Sequence, residues 1–302
     1  MTYVIRAEGL VKRYGTTAAV DGVDLAVRAG EVVGLIGPNG AGKSTVVRIL
    51  TAHDRPDAGR ATVCGHDVVR EGGRVRALLT PTGDARGAGD VLGAGDVLGA
   101  GADGLLGCFA LTGAVGRPVD ALSDGERRGL ELVARLSAGP PVLILDEPDR
   151  GLDVRARRAV RDALRRLAAK GTAVLFTTQH PDEADGLADR VALLDRGRVV
   201  AEGRPEEVGR RAGEASLRVR PSLAGDGGAV SRILTELTGA APAYEPHTGT
   251  LSVPAADPML LSALVRRLER SGIGTETLGL HQPTLQDALA ALAYRPTARR
   301  AD

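Results

Sequence analysis

Gly37-Pro38-Asn39-Gly40-Ala41-Gly42-Lys43-Ser44-Thr45 follows the apolar run Val32 to Ile36, so the chain leaves a buried strand and enters a glycine-rich turn that opens a helix. Glycines there let the backbone curl until several N–H groups face one anion. The helix that follows adds the positive end of its dipole at the same point. The spacing G-x-x-x-x-G-K-[ST] is that of a phosphate-binding loop, in which Lys43 reaches the β- and γ-phosphates of a nucleoside triphosphate and the Ser44 hydroxyl ligates Mg²⁺. Only three lysines, Lys12, Lys43 and Lys170, stand among 39 basic residues. One is kept here, where a compact ammonium suits phosphate better than a planar guanidinium.

A second segment completes the reading. Pro141-Val142-Leu143-Ile144-Leu145-Asp146-Glu147-Pro148 is an apolar strand closed by two adjacent carboxylates, which suits metal-assisted hydrolysis. Asp146 is expected to hold Mg²⁺, directly or through water, and Glu147, pointing to the other side, to polarise the attacking water. Ala173 to Phe176 is another short apolar run, and between the two Val154 to Ala169 places Val160, Ala163, Leu164 and Leu167 on one helical face. That is a β-α-β unit of a parallel core.

The bulk properties narrow the function. A chain of 302 residues, 43% hydrophobic, has material for two domains. Its 39 basic and 38 acidic residues are interspersed, for a net charge of +1, so no field is available to gather nucleic acid. Arginine-rich stretches such as Arg155 to Arg166 read as solvated helix faces. Cys64 and Cys108 lack the companion spacing of a disulfide framework or a zinc site, which fits a reducing cytosol. No apolar run approaches the length of a membrane span, and the N-terminus lacks a basic-then-apolar leader, so any membrane role requires a partner chain.

Along the chain, residues 3 to 36 alternate apolar runs and turns as antiparallel strands, and a helix is expected over 43 to 51. Residues 87 to 104 repeat the hexapeptide GAGDVL and then decay into GAGADG, with seven glycines in 18 residues. That density argues against a stable helix, and too few faithful turns remain for a β-solenoid. After a helix near Pro205 to Arg211 the pattern restarts as strand 215–220, helix 227–237, strands 242–245 and 249–253, helix 257–271 and strand 275–280, with a short helix over 284–293. This βαββαβ order predicts a small α+β, ferredoxin-like domain over 213–302, following an ATP-binding domain over 1–212. It shows no catalytic constellation, and His247 and His281 read as lone surface residues.

These two nucleotide motifs, with Leu122-Ser123-Asp124-Gly125-Glu126 between them, make residues 3 to 210 resemble the ATP-binding subunits of ABC transporters. The resemblance implies an α/β P-loop NTPase fold, a mixed central sheet carrying an antiparallel β subdomain and a shortened helical subdomain. It also implies a head-to-tail homodimer that shares two ATPs, each held by the loop Gly37, Pro38, Asn39, Gly40, Ala41, Gly42, Lys43, Ser44 and Thr45 of one copy and by Ser123 and Gly125 of the other. Tyr14 stands where the family stacks an aromatic ring on adenine, and Gly151-Leu152-Asp153 matches the loop that crosses the dimer interface. The C-terminal Gln282-Pro283-Thr284-Leu285-Gln286-Asp287 looks like that of daunorubicin-resistance drug exporters. Thr177-Thr178-Gln179-His180 fits the same group, in which Gln179 takes the place of the switch residue that touches the γ-phosphate, in preference to His180 one position on.

Three departures bear on coupling. Thr82 stands where the family has a Mg²⁺-sensing glutamine, and is shorter. Asp124 replaces a signature glycine and Glu126 an uncharged residue; a carboxylate about 6 Å from a γ-phosphate charge would cost roughly 3 kcal/mol at an effective dielectric of 20, and far less if it faced water. The resemblance implies a Mg-dependent ATPase on the cytoplasmic side of the membrane, energising export of a hydrophobic drug or metabolite through a separate transmembrane permease. The alternatives are a catalytically weakened regulatory relative, which would bind ATP with negligible turnover, and a soluble ATPase of DNA repair or translation. Such soluble ATPases generally carry tandem cassettes or zinc modules, against the single cassette and two unpaired cysteines here.

Overall fold

The protein is described by a computed structural model covering residues 3–79, 102–115, 117–211, 213–255 and 257–293. It divides into two compact units, residues 1–205 and 206–302.

In the first unit the long strands β1 (Tyr3–Tyr14) and β2 (Thr17–Arg28) pair antiparallel. Their buried residues alternate except at an irregularity in each, Ile5 and Ala7 then Leu10 in β1, Val20 then Val23, Leu25 and Val27 in β2, which leaves one face wet. β3 (Val32–Ile36) is buried at all five positions and runs into helix α1 (Lys43–Leu50). β4 (Ala58–Val63) and β5 (His66–Asp67) complete a four-stranded antiparallel sheet of order β2-β1-β4-β5. Helices α2 (Gly72–Leu79), α3 (Ala102–Cys108) and α4 (Asp124–Ala138) follow. Most of the GAGDVL repeat lies outside the described residues, and α3 begins within its decayed end.

The second sheet holds β6 (Val142–Leu145), β7 (Ala173–Thr178), β8 (Arg190–Asp195) and β9 (Arg198–Gly203) with β3, in the order β6-β7-β3-β8-β9. Its first four strands are parallel and β9 is antiparallel on the edge. It is thus the mixed sheet that the family resemblance implies. Continuous burial of β3, β6 and β7 explains their unbroken apolar runs, since a parallel sheet is covered on both faces. Helix α5 (Val154–Ala169) covers it with Val160, Ala163, Leu164 and Leu167, all buried. β7 runs two residues beyond the apolar stretch, because Thr177 and Thr178 are buried with their hydroxyls satisfied by the acids Asp146 and Glu183. A short helix α6 (Pro181–Ala184) succeeds it.

In the second unit, α7 (Pro205–Arg210) precedes β10 (Ser216–Pro221), α8 (Gly227–Thr238), β11 (Ala243–Glu245), β12 (Thr250–Pro254), α9 (Pro258–Arg270), β13 (Thr275–His281) and α10 (Leu285–Ala293). The sheet order is β11-β12-β10-β13 with every pairing antiparallel. Leu217, Val219, Leu251 and Val253 pack on Val230, Ile233, Leu234, Leu264 and Leu268 of the two long helices. Residues 206 to 211 belong with this unit rather than the first, against the boundary expected after 212. The reason is a close packing contact: a side-chain carbon on Gly209 of α7 would sit 2.7 Å from the Pro283 carbonyl. His247 is exposed. His281 is not a lone residue, since its Nε2 lies 2.9 Å from Asp287 Oδ2.

Phe176, 1% exposed in β7, fills space that Gly34 of β3 leaves open; a Cβ on Gly34 would stand 3.2 Å from the Phe176 ring. Phe176→Ala is expected to destabilise the first unit by about 3–5 kcal/mol, read from urea unfolding.

Candidate functional site

Parallel pairing aligns the carboxyl ends of three neighbouring strands. Ile36 stands opposite Thr178, and Leu145 opposite Phe176. Whatever follows each strand therefore emerges at one edge, the place where open α/β sheets bind ligands. Gly37, Asp146-Glu147 and Gln179 are those residues.

The loop after β3 has no room for other side chains at two positions. A Cβ on Gly37 would overlap the Leu194 carbonyl, and one on Gly42, at φ 106°, would overlap the Ala19 carbonyl. Ala41 N donates to Pro38 O at 3.2 Å, and Gly197 N to Ala41 O at 2.8 Å, so the turn is pinned to the sheet. Lys43 folds back across it, its Nζ donating to the carbonyls of Gly37 (2.8 Å) and Pro38 (3.1 Å). The ammonium is buried, which lowers its pKa; the charges of Glu147 and then Asp146 act in the opposite sense. Helix α1 has neither a side-chain cap nor an acidic residue in its first turn. Its amino end is thereby kept for an external anion.

Asp146 accepts from Thr177 Oγ1 at 2.5 Å, and the same oxygen accepts from Glu147 N at 2.9 Å. This shared hydroxyl locks the two acids onto β7. Glu147 sits at φ 46°, an unusual conformation for a residue with a side chain. Its carboxylate faces Arg150 at 3.5 Å.

Asn39, Ser44, Gly125, Asp146, Glu147 and Gln179 line one cavity of about 680 Å³. His180 is exposed and lines an adjoining space of about 460 Å³ instead. The structure thus brings together the loop, both acids and Gln179. Ser123 caps helix α4 and is exposed. Tyr14, 49% exposed, lies at the end of β1. Thr82 is outside the described residues. For Mg²⁺ the donor chemistry fits: Ser44 offers a hydroxyl and Asp146 a carboxylate to the same cavity, both hard oxygens.

Comparison with known proteins agrees with this arrangement. The ABC transporter family model matches residues 20–87, and that of an AAA domain family matches residues 102–185. The chain is 42% identical over 303 residues to the daunorubicin resistance ATP-binding protein DrrA3 of Streptomyces coeruleorubidus, covering 95% of each chain. It is 38% identical to the daunorubicin/doxorubicin resistance ATP-binding protein DrrA of Streptomyces peucetius, covering 98% of this chain and 94% of that one. The chain belongs to the ATP-binding subunits of ABC transporters, in the daunorubicin/doxorubicin-resistance group. A solved ATP-binding subunit of an ABC transporter superposes with TM-score 0.59 at 25% identity, covering 69% of this chain and 92% of that one.

Within this ABC-type subunit the departures around Ser123 have a local cause. Ser123 Oγ accepts from Glu126 N at 3.2 Å, and the Glu126 carboxylate accepts from Ser123 N at 2.8 Å, a reciprocal capping box. That bond and then Arg117, at 3.0 Å, hold the Glu126 carboxyl below its ordinary pKa. Ser-x-x-Glu is legible in the sequence as a helix start, and it accounts for a glutamate there. Asp124 is 85% exposed and pairs with Arg127 at 3.2 Å, so its charge stands in water.

One buried acid has no counterpart in the sequence reading. Asp149 is 5% exposed, and its Oδ1 lacks a hydrogen-bond partner. Burial and then Glu183 raise its pKa to about 6, against the lowering effect of Arg157 and Arg161. Nothing in the residue order marks it, because its burial comes from the fold of the turn after β6. A raised carboxyl pKa favours the neutral form, so the stability it confers is complete below about pH 4 and is lost as pH rises through about 6. Asp149→Asn, which cannot ionise, is expected to raise the thermal midpoint of the first unit by several degrees near pH 7.5 and change it little near pH 4.5, about 2 kcal/mol at the higher pH.

Proposed function

We propose that two copies of this chain, arranged head to tail, bind and hydrolyse Mg-ATP and thereby energise export of a hydrophobic drug or secondary metabolite through a separate membrane permease. The observation that carries the reading is the convergence of Ser44, Asp146, Glu147 and Gln179 on one cavity beside Lys43. The relatives' printed names, daunorubicin and doxorubicin resistance, support the substrate class. Among the described residues no helix is long and apolar enough to cross a membrane, which agrees with a peripheral subunit carried by a partner.

In this reading the backbone N–H groups from Gly37 to Thr45 cradle the β- and γ-phosphates, and Lys43 exchanges its loop carbonyls for phosphate oxygens, where its charge offsets that developing in the transition state. Ser44 and Asp146 would hold Mg²⁺, with Thr82 assigned to the same ion by the family resemblance alone; when bound, the ion would supply neutralisation of phosphate charge. Glu147 takes the proton of the attacking water, its carboxylate aimed by the Thr177 bond to its backbone. Gln179 hydrogen-bonds the γ-phosphate. Tyr14 stacks on adenine. Ser123 and Gly125, at the amino end of α4, are read as completing the site of the other copy, although Gly125 also borders this copy's cavity. The second unit is read as a ferredoxin-like accessory domain, a reading supported by its βαββαβ order and the sheet order β11-β12-β10-β13.

Glu147→Gln is expected to cut phosphate release by at least about a hundredfold while ATP binding is retained. Turnover at the normal rate would remove Glu147 from its role. Affinity purification of the full chain from its native membrane is expected to carry a multi-helix permease; recovery of the chain alone, with ATP bound and no turnover, would favour a regulatory relative instead.

A further inference from the structure

The phenol of Tyr14 is anchored rather than free. Its hydroxyl donates to Asp54 Oδ2 at 2.5 Å. Asp54 is in turn held by both arms of Arg48, whose Nε and Nη2 donate to its two oxygens at 2.8 and 2.9 Å. Arg48 projects from α1, the helix that opens at Lys43. A ring at the end of β1 is thus tied, through one carboxylate, to the helix that carries the phosphate loop.

The other contacts of the ring agree. Lys12 Nζ stands 5.6 Å from its centroid and bonds Asp57 at 3.0 Å. Asp57 also accepts from Arg13 N at 2.6 Å, which fixes the strand end on which Tyr14 sits. One face of the ring is therefore covered by an ammonium, while the ring as a whole remains half exposed. The hydrogen bond to Asp54 raises the phenol pKa and keeps the proton in place. Arg48 and then Tyr14 hold the Asp54 carboxyl well below the usual carboxylate range, so the acceptor stays charged. A charge-assisted O–H···O⁻ bond is among the stronger ones. It fixes where the far end of the ring lies, and the Lys12 ammonium over one face favours one setting of the ring plane.

We infer that Asp54, clamped by Arg48, is a positioning residue for nucleotide binding, holding the Tyr14 ring in the orientation in which a purine stacks on its open face. The inference rests on the proposed stacking role of Tyr14 and adds the residues that make that role effective. The gain is preorganisation: an aromatic ring already fixed loses little freedom when the base arrives. Asp54 acts through the Tyr14 ring, so its effect falls on affinity and not on the chemical step.

The test uses the full-length protein and measures KM and kcat for Mg-ATP, with inhibition by inorganic tripolyphosphate, which carries no base, as the internal reference. Asp54→Ala and Tyr14→Phe are each expected to raise KM about three- to tenfold with kcat within about twofold, and the double variant no further than either single one, as for two partners of one interaction. Tripolyphosphate inhibition is expected to be unchanged. If Asp54→Ala weakens tripolyphosphate as much as ATP, the residue supports the loop structurally and the inference fails. If Tyr14→Ala raises KM but Asp54→Ala does not, the inference fails while the stacking role stands. If Tyr14→Ala leaves KM unchanged, the stacking role and the inference both fall.

Discussion

Parallel pairing of β6, β7 and β3 is the constraint on which the site depends. In parallel strands the hydrogen-bond register sets where each chain ends relative to its neighbours. Opposing Ile36 to Thr178 and Leu145 to Phe176 places three loops at one edge. A slip of one residue would turn every side chain on the slipped strand to the other face, moving Asp146 away from Ser44. Burial on both faces leaves hydrophobic alternation no say in the register, so such a slip is opposed by specific packing, as in the fit of Phe176 against Gly34.

Hydrogen bonds then refine what the register brings together. Thr177 joins the two acids to the central strand, and Thr178 engages Glu183 just beyond the switch position. Lys43 rests on its own loop carbonyls, which keeps a buried ammonium satisfied. At the far side of the loop, Arg48 and Asp54 tie the end of β1 to helix α1.

Much of this was legible in the residues. Continuous apolar runs marked the buried strands, periodic Val160, Ala163, Leu164 and Leu167 marked the covering helix, and the glycine spacing marked the loop. A parallel core and the pairing of loop with acids followed from those signals, whereas the mixed sheet was implied by the family resemblance. Other features were not, for physical reasons. Thr177 and Thr178 looked like the end of a strand, because a buried hydroxyl is betrayed only by its partner. The short strands β4, β5 and β9 carry no strong period. Asp149 reads as an ordinary turn acid until the fold encloses it. The Tyr14–Asp54 bond joins residues 40 apart, with no local pattern to announce it. His281 likewise needed Asp287 beside it to cease being a lone histidine.

The sequence by itself determined the chemistry: a loop whose glycines leave no other backbone path, a lysine and a serine at phosphate spacing, and a carboxylate pair closing an apolar strand. These are local properties, set by sterics and by the period of the chain. Tertiary structure alone decided which residues share a cavity, which buried acid keeps an oxygen without a hydrogen bond, and which side chains hold the Tyr14 ring. Those depend on contacts between distant segments, where burial and register act, and no stretch of the chain read in isolation contains them.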